Sequence, residues 1–172
     1  MKSTDVAVAA VLAALAIAIP LLFQGTLQIA IPSVGFSATL ASHVPIMLSI
    51  LFGPAVSGIV GAASALGFTV TLGPLVGARA ATHIIWGVTA AYAIKKGMSY
   101  PKALFIVALP LHALLEGAVV AGFGVPWQAA LITVAGTALQ HVIDSVIAVA
   151  VVKAAEPLIK TLRSKKKPDK AA

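Results

Sequence analysis

The chain has 172 residues, of which 60% are hydrophobic and only 10% are charged, whereas roughly 25% of the residues of an ordinary soluble domain are charged. Its formal net charge is +7 and its mean hydropathy is +1.04. A chain of this composition has more apolar surface than a small soluble domain can bury. Composition therefore excludes a water-soluble enzyme or nucleic-acid-binding domain and predicts an all-α integral membrane protein. Because the sequence contains no cysteine, disulfides and thiol chemistry are also excluded.

Glycine, proline and charged residues divide the chain into six predicted transmembrane helices, since about 20 apolar residues cross the hydrocarbon core. Gly53-Pro54 and Gly73-Pro74 end the second and third helices, and Lys95-Lys96-Gly97 ends the fourth. A single six-helix domain, residues 1–152, is then followed by a basic tail, residues 153–172. In chain order the predicted helices cover residues 5–23, 36–52, 55–72, 78–94, 102–122 and 127–152.

The distribution of Lys and Arg predicts the orientation of these helices. Six spans place both termini and the loop between the fourth and fifth helices on one side, which then carries every Lys and Arg except Arg79. Because basic loops stay cytoplasmic, both termini are predicted to be cytoplasmic, and the tail is expected to lie against anionic lipid headgroups. Arg79 alone lies at the outer face.

The loop between the first and second predicted helices has an unusual pattern. Residues 26–32 alternate apolar residues with small or polar ones, which is typical of a strand. The predicted topology places this structured loop outside the cell. It is either a linker or an ordered lid over a site, and the pattern alone does not decide between them.

Ionisable side chains within membrane spans are costly, so they are candidates for function. Arg79 and His83 lie one turn apart on the fourth helix. The Arg79 guanidinium is an anchor for an anionic solute, an internal partner of Glu116, or an interfacial side chain that reaches the headgroups. Glu116, one turn from His112 on the fifth helix, is a ligand contact, a proton carrier or a structural ion-pair partner.

The remaining polar residues favour structural interpretations. Gln140, His141 and Asp144 of the sixth helix are expected to form an interhelical polar clamp, and His43 is expected to donate a hydrogen bond between helices. The four histidines lie on four different helices with no spacing typical of a metal or haem site. We therefore expect no metal and no cofactor, and no nucleophile–base spacing indicates an enzyme.

Small residues form two rows on the first helix. Ala10, Ala14 and Ala18 recur every four residues, and Ala9 and Ala13 form a parallel row. Such rows let two helices approach closely in a membrane. They indicate either packing within this chain or a docking face for a separate membrane subunit.

Taken together, these features resemble the S components of energy-coupling factor (ECF) transporters, which import vitamins into bacteria. The resemblance covers nearly the whole chain, including the six spans, the Ala-x-x-x-Ala first helix and the structured first loop. Residues 43–47 (His-Val-Pro-Ile-Met), Gly53-Pro54, Gly67-Phe68 and residues 79–83 (Arg-Ala-Ala-Thr-His) look most like the pantothenate and niacin S components.

The resemblance implies a multi-pass protein of the bacterial cell membrane that binds a vitamin from outside. It then associates with a transmembrane coupling subunit (EcfT) and two cytosolic ATPases (EcfA and its paralogue), and topples in the bilayer to release the vitamin inside. This chain has no phosphate-loop motif, which fits an arrangement in which separate subunits hydrolyse ATP. The expected docking face consists of Ala9, Ala10, Ala13, Ala14 and Ala18.

The resemblance also implies the residues of the vitamin pocket. A vitamin carboxylate suits Arg79, and Gln28, Glu116 and Thr133 suit the hydroxyls and amide of pantothenate, which we predict as the substrate ahead of nicotinate. The alternative is a stand-alone proton-coupled carrier or channel. The implied pocket residues are Gln24, Gln28, Phe68, Thr71, Arg79, His83, Glu116, Trp127, Gln128 and Thr133.

Overall fold

Two Gly-Pro pairs set the boundaries of the central helices. Gly53 and Gly73 have φ angles of +104° and +93°, a region that glycine enters without steric cost. Pro54 and Pro74 each begin a helix. The N–H group that proline lacks would have no hydrogen-bond acceptor within the helix at this position, so proline is tolerated there. Each pair therefore ends one membrane segment and begins the next.

The computed structural model describes residues 1–31 and 36–165, with the backbone alone for residues 158–165. Within these residues the fold consists of helices and one two-stranded antiparallel hairpin. The elements are α1 (Ser3–Leu22), β1 (Gln28–Ile31), β2 (Phe36–Thr39), α2 (Val44–Ser49), α3 (Pro54–Leu72), α4 (Pro74–Lys95), α5 (Tyr100–Gly122) and α6 (Trp127–Lys165).

The prediction of a second continuous helix over residues 36–52 is wrong. Its first part is β2, which pairs with β1 so that Gln28 lies opposite Thr39. Helix α2 begins only at Val44 and tightens after Ser49 into a 3₁₀ turn. The chain cannot be helical throughout because Ala41, between β2 and α2, has a φ of +64°, which is incompatible with an α-helix.

The strand predicted within residues 26–32 is confirmed as β1, and Pro32 lies outside the described residues. The first loop is therefore ordered where it is described. It forms a hairpin with the beginning of the segment that had been assigned to the second helix. The fold is thus helical with one small sheet rather than purely helical.

Four helices in the described part of the chain are long and apolar enough to cross a membrane. Helix α4 has 22 residues but carries Arg79 and Lys95, and α2 is too short to cross alone. A helical membrane protein is therefore supported, whereas the six spans and the cytoplasmic termini stay predictions. The four are Ser3–Leu22, Pro54–Leu72, Tyr100–Gly122 and Trp127–Pro157.

Close helix contacts position the segments that carry the site. A Cβ on Gly61 of α3 would lie 2.8 Å from the backbone nitrogen of Ile84 in α4, so only glycine permits this approach. In helix α5 a first α-helical turn, Tyr100–Lys102, is followed by a π-helical segment, Ala103–Ala108, just before Pro110. A proline cannot donate to the preceding turn and displaces it, which accounts for the wider geometry there.

Helix α6 continues beyond the predicted end of the sixth span. Its backbone is helical to Lys165, without a break at residue 152 and with Pro157 inside it. Residues 166–172 of the predicted tail lie outside the described residues. The boundary at residue 152 and the contact between the tail and lipid headgroups therefore stay predictions.

Candidate functional site

Arg79 of α4 and Glu116 of α5 form a buried ion pair. Arg79 donates hydrogen bonds from Nε and Nη2 to Oε2 of Glu116 at 3.1 and 2.7 Å, and the Thr137 hydroxyl of α6 donates to the same oxygen at 2.7 Å. The guanidinium also lies 5.6 Å from the ring centroid of Phe36 in β2, within cation–π range. The internal ion pair is thus present, and because Arg79 is buried it does not reach out to headgroups.

Three histidines surround the other carboxylate oxygen of Glu116. Oε1 lies 3.3 Å from Nε2 of His112 and 3.9 Å from Nε2 of His83. The ring centroid of His43 lies 5.1 Å from that of His83 and 4.6 Å from that of His112. Residues from three separate segments, α4, α5 and the turn before α2, thereby meet at one point beneath the hairpin.

Asp144 and Gln140 of α6 hold the turn between β2 and α2. The Asp144 carboxylate accepts hydrogen bonds from the backbone N–H groups of Ala41 and His43, at 2.8 and 3.1 Å, and its Oδ2 lies 3.0 Å from Nδ1 of His43. Gln140 donates to the Thr39 carbonyl at 2.8 Å. These bonds confirm the polar clamp predicted for α6 and explain how the positive φ of Ala41 is maintained.

His141 extends the polar network toward α5. Its Nε2 lies 3.2 Å from the Leu104 carbonyl, and its Nδ1 lies 2.9 Å from Nδ1 of His112. Trp86 packs against this network, with its ring centroid 5.2 Å from that of His112 and 5.4 Å from that of His141. His112 and His141 are therefore oriented by hydrogen bonds and packed against the Trp86 ring.

A pocket with a volume of about 60 Å³ opens above the histidines, which is smaller than the roughly 300–1,000 Å³ typical of sites for drug-sized ligands. Its outer rim includes Pro20 near the end of α1, Leu72 at the end of α3 and Val76 near the start of α4. The mouth thus lies at the end of the helices opposite Lys2 and Lys95. Its polar lining consists of Gln28, Ser37, Thr39, Ser42, His43, Ser64, Arg79, His83, Glu116 and Gln140.

The pocket brings together five of the ten residues that the resemblance implies, namely Gln28, Phe68, Arg79, His83 and Glu116. The other five do not line it. Two of them bond locally, since Thr71 donates to the Gly67 carbonyl and Thr133 to the Ala129 carbonyl. The remaining three are exposed: Gln24, Trp127 and Gln128.

Several lining residues were missed because β2 had been assigned to a helix. Ser37 and Thr39 face the pocket from β2, and Ser42 and His43 from the turn that follows. The alternation of residues 36–39 (Phe-Ser-Ala-Thr) resembles that of β1 and is the signal that indicates a partner strand. For Gln140 and His43 the sequence favoured structural roles over contact with a ligand, and both line the pocket.

The two alanine rows of α1 have different surroundings. Ala9 and Ala13 are buried within the chain, whereas Ala10 and Ala14 are exposed and Ala18 is half-buried. The first row therefore packs internally, next to α3, which α1 contacts through Ile17 and Gly67. The row of Ala10, Ala14 and Ala18 remains available to another helix, and its use for docking stays a prediction.

A buried polar pocket in a helical membrane protein, lined by an arginine and by residues of a hairpin, is typical of membrane proteins that bind a small solute. Among curated proteins, the chain is similar to the niacin transporter NiaX of Lactococcus lactis subsp. cremoris (strain MG1363), with 34% identity over 133 residues. The match covers 71% of this chain and 56% of the relative, so the chain spans little more than half of that protein's length.

This match confirms the resemblance of the sequence to the S components of vitamin transporters. No protein-family model and no solved structure matches the chain. The relative itself is described as a transporter.

Proposed function

We propose that the chain is the substrate-binding subunit of a membrane vitamin importer and that its substrate is nicotinate. The observation that carries this proposal is the buried Arg79, which lines the pocket and is held in place by Glu116. A guanidinium fixed in a largely desolvated pocket favours a carboxylate ligand. The similarity to a niacin transporter supports the same ligand class.

The lining of the pocket favours nicotinate over pantothenate, the substrate that we predicted first. Thr133, assigned to the hydroxyls of pantothenate, does not line the pocket. Oε2 of Glu116 already accepts hydrogen bonds from Arg79 and Thr137. Phe68 lies in the pocket wall, so one aromatic side chain is available to a flat ring.

Three related ligands test this proposal in the purified chain by calorimetry in detergent. Nicotinate carries both the ring and the carboxylate, nicotinamide keeps the ring without the charge, and pantothenate keeps the charge without the ring. We expect nicotinate to bind at least tenfold more tightly than either of the others. Tighter binding of pantothenate would restore the first prediction, and binding of none of the three would refute a vitamin site.

Release inside the cell requires a partner, and we propose that this is an ECF module of coupling subunit and ATPases. The exposed row of Ala10, Ala14 and Ala18 on α1 offers a surface on which a second helix can pack closely. The pocket mouth lies at the opposite end from most of the basic residues, which fits entry of the vitamin from outside. Uptake in cells should then depend on the ATPases of the module.

One observation favours the alternative of a stand-alone proton-coupled carrier. His141, His112 and Glu116 form a continuous chain of polar contacts at 2.9 and 3.3 Å, along which a proton can move. Liposomes that contain this chain alone separate the two functions. Uptake of nicotinate driven by a pH gradient, without ATPases, would support the carrier and contradict the importer subunit.

A further inference from the structure

The side chains of His43, His83, His112 and Glu116 converge at the floor of the pocket. One nitrogen or oxygen atom from each lies within 4.8 Å of the corresponding atoms of the other three, and all four residues are buried. Three imidazoles and one carboxylate form a donor set suited to zinc and related metals. We propose that this group, the histidine–glutamate cluster, binds one divalent transition-metal ion of the Zn²⁺ class.

The hydrogen bonds around the cluster leave a donor atom of each member directed inward. Nδ1 of His43 is held by Asp144, so Nε2 is the nitrogen left for a metal. This carboxylate–histidine pair is the arrangement that orients metal-binding imidazoles. Oε2 of Glu116 is likewise engaged by Arg79 and Thr137, so Oε1 is the oxygen directed toward the histidines.

A chain of hydrogen bonds also determines which nitrogen of His112 carries a lone pair. The Leu104 carbonyl can only accept, so Nε2 of His141 donates to it and, in the neutral ring, Nδ1 accepts from Nδ1 of His112. Nε2 of His112 then presents a lone pair to Oε1 of Glu116 at 3.3 Å. Two acceptors at this distance repel each other unless a proton or a metal ion lies between them.

His83 favours the metal ion over the proton. Its Nε2 is buried and has no hydrogen-bond partner in the part of the chain that the structure describes, and an unsatisfied buried nitrogen is costly. A proton on His112 satisfies the contact with Glu116 but leaves Nε2 of His83 without a partner. A single metal ion at the centre of the cluster provides a partner for His43, His83 and His112 at once.

The dimensions of the cluster fit such an ion. Zinc–nitrogen bonds of about 2.0–2.1 Å place neighbouring ligands of a tetrahedral site about 3.4 Å apart. The His112–Glu116 and His83–Glu116 separations are 3.3 and 3.9 Å, and all the donor atoms lie within 4.8 Å of one another, so the side chains must move inward by up to about 1.4 Å to complete a tetrahedral site. Trp86 packs against His83 and His112 and limits the access of water from below.

The charges of the site also favour a divalent ion. The charged side chains of the site are Arg79, Glu116 and Asp144, which together carry one net negative charge. A divalent ion changes this to one net positive charge, and a monoanionic ligand then neutralises it. On this view, which rests on the proposed function, the pocket-facing side of the metal accepts the carboxylate or the ring nitrogen of nicotinate.

The test begins with the full chain purified through a tag that contains no histidine. The protein is stripped with a chelator, dialysed against Zn²⁺ and analysed for bound metal without any vitamin. We expect one Zn²⁺ per chain, and in the Co²⁺ form the visible absorption of a four-coordinate ion with nitrogen and oxygen ligands. A folded chain that retains no metal would overturn the proposal and indicate a proton between His112 and Glu116.

Variants assign the metal to the cluster. His83→Gln removes a ligand without the loss of any hydrogen bond of Nε2, so the metal-free protein should keep its melting temperature while its Zn²⁺ affinity falls at least tenfold. His83→Gln combined with His112→Gln should abolish binding. Ser64→Ala changes another lining residue and should leave the affinity unaltered. Equal Zn²⁺ affinity in the wild type and in the double variant would overturn the assignment.

Nicotinate titrations then separate the metal site from the function proposed above. Binding of nicotinate that is at least tenfold tighter in the Zn²⁺ form supports a metal–ligand contact. Equal affinity in both forms refutes that contact but not the metal site, which is measured without the vitamin. Metal binding without any vitamin binding refutes the proposed substrate alone.

Discussion

Arg79 and Glu116, on two different helices, are joined by two hydrogen bonds to a single carboxylate oxygen, with Nε at 3.1 Å and Nη2 at 2.7 Å. This arrangement uses one edge of the guanidinium and fixes its plane above the histidines. A buried pair of this kind contributes little net stability because both charges lose their hydration. Its value lies in orientation, since Arg79 is held rigidly at the wall of the pocket.

Arg79→Ala should therefore damage both stability and binding. The Glu116 carboxylate is left buried without its counter-charge, which costs about 3–5 kcal/mol, and nicotinate loses its charged partner. Thermal unfolding in detergent and calorimetry measure the two effects. In the double variant Arg79→Met with Glu116→Gln the melting temperature should recover much of the loss while binding stays absent. Recovered binding in that variant would remove Arg79 from the site.

Asp144→Asn should destabilise the turn between β2 and α2. The carboxylate accepts from the backbone of Ala41 and His43 and contacts the His43 ring, and an amide cannot accept all of these bonds. Since hydrogen bonds to charged groups contribute about 1.5–3 kcal/mol each, we expect a loss of at least about 2 kcal/mol, seen as a lower melting temperature.

Ala41→Gly is the matched control for the same turn. The φ of +64° at Ala41 costs roughly 1 kcal/mol for a residue with a Cβ. The variant should therefore raise the melting temperature, while Asp144→Asn lowers it. A lower melting temperature in Ala41→Gly would show that the positive φ is not a source of strain.

Gly136→Ala should disturb the hairpin without unfolding the helices. A Cβ at this position of α6 would clash with the ring of Phe36, so the ring and β2 must shift, which disturbs the contact of Phe36 with Arg79. We expect nicotinate to bind about tenfold more weakly, mainly through faster dissociation. Gly122→Ala is the control, because a Cβ there has open space around it and should leave binding unaltered.

The sequence was informative wherever a local signal decided the structure. Gly53-Pro54 and Gly73-Pro74 predicted the boundaries of α3 within a residue or two, and the alternation of residues 26–32 predicted β1. The segment after it was assigned wrongly because its apolar composition fits a membrane helix equally well. The deciding contact, from Asp144 to the backbone of Ala41, joins residues 103 positions apart, and no local pattern reports it.

The site shows the same division between local and long-range information. Arg79 and Glu116 stood out because charges inside membrane helices are rare. The convergence of three histidines on Glu116 was not predicted, because the one local signal, His112 and Glu116 four residues apart on α5, is too common a pair to indicate a metal site by itself. Here His43, His83 and His112 come from three separate segments, and only the packing of the helices brings them together.

Ala14→Trp and Ala13→Trp should separate docking from folding. Ala14 is exposed on α1 and Ala13 is buried against the rest of the chain. A tryptophan at Ala14 should leave the melting temperature and nicotinate binding intact but abolish uptake in cells, since it prevents close approach of another helix. A tryptophan at Ala13 should destabilise the protein itself through overpacking, by about 1–3 kcal/mol or more. Val11→Trp, at an exposed position outside the alanine row, controls for bulk on the helix surface. Normal uptake with Ala14→Trp would show that this row is not the surface on which a coupling subunit docks.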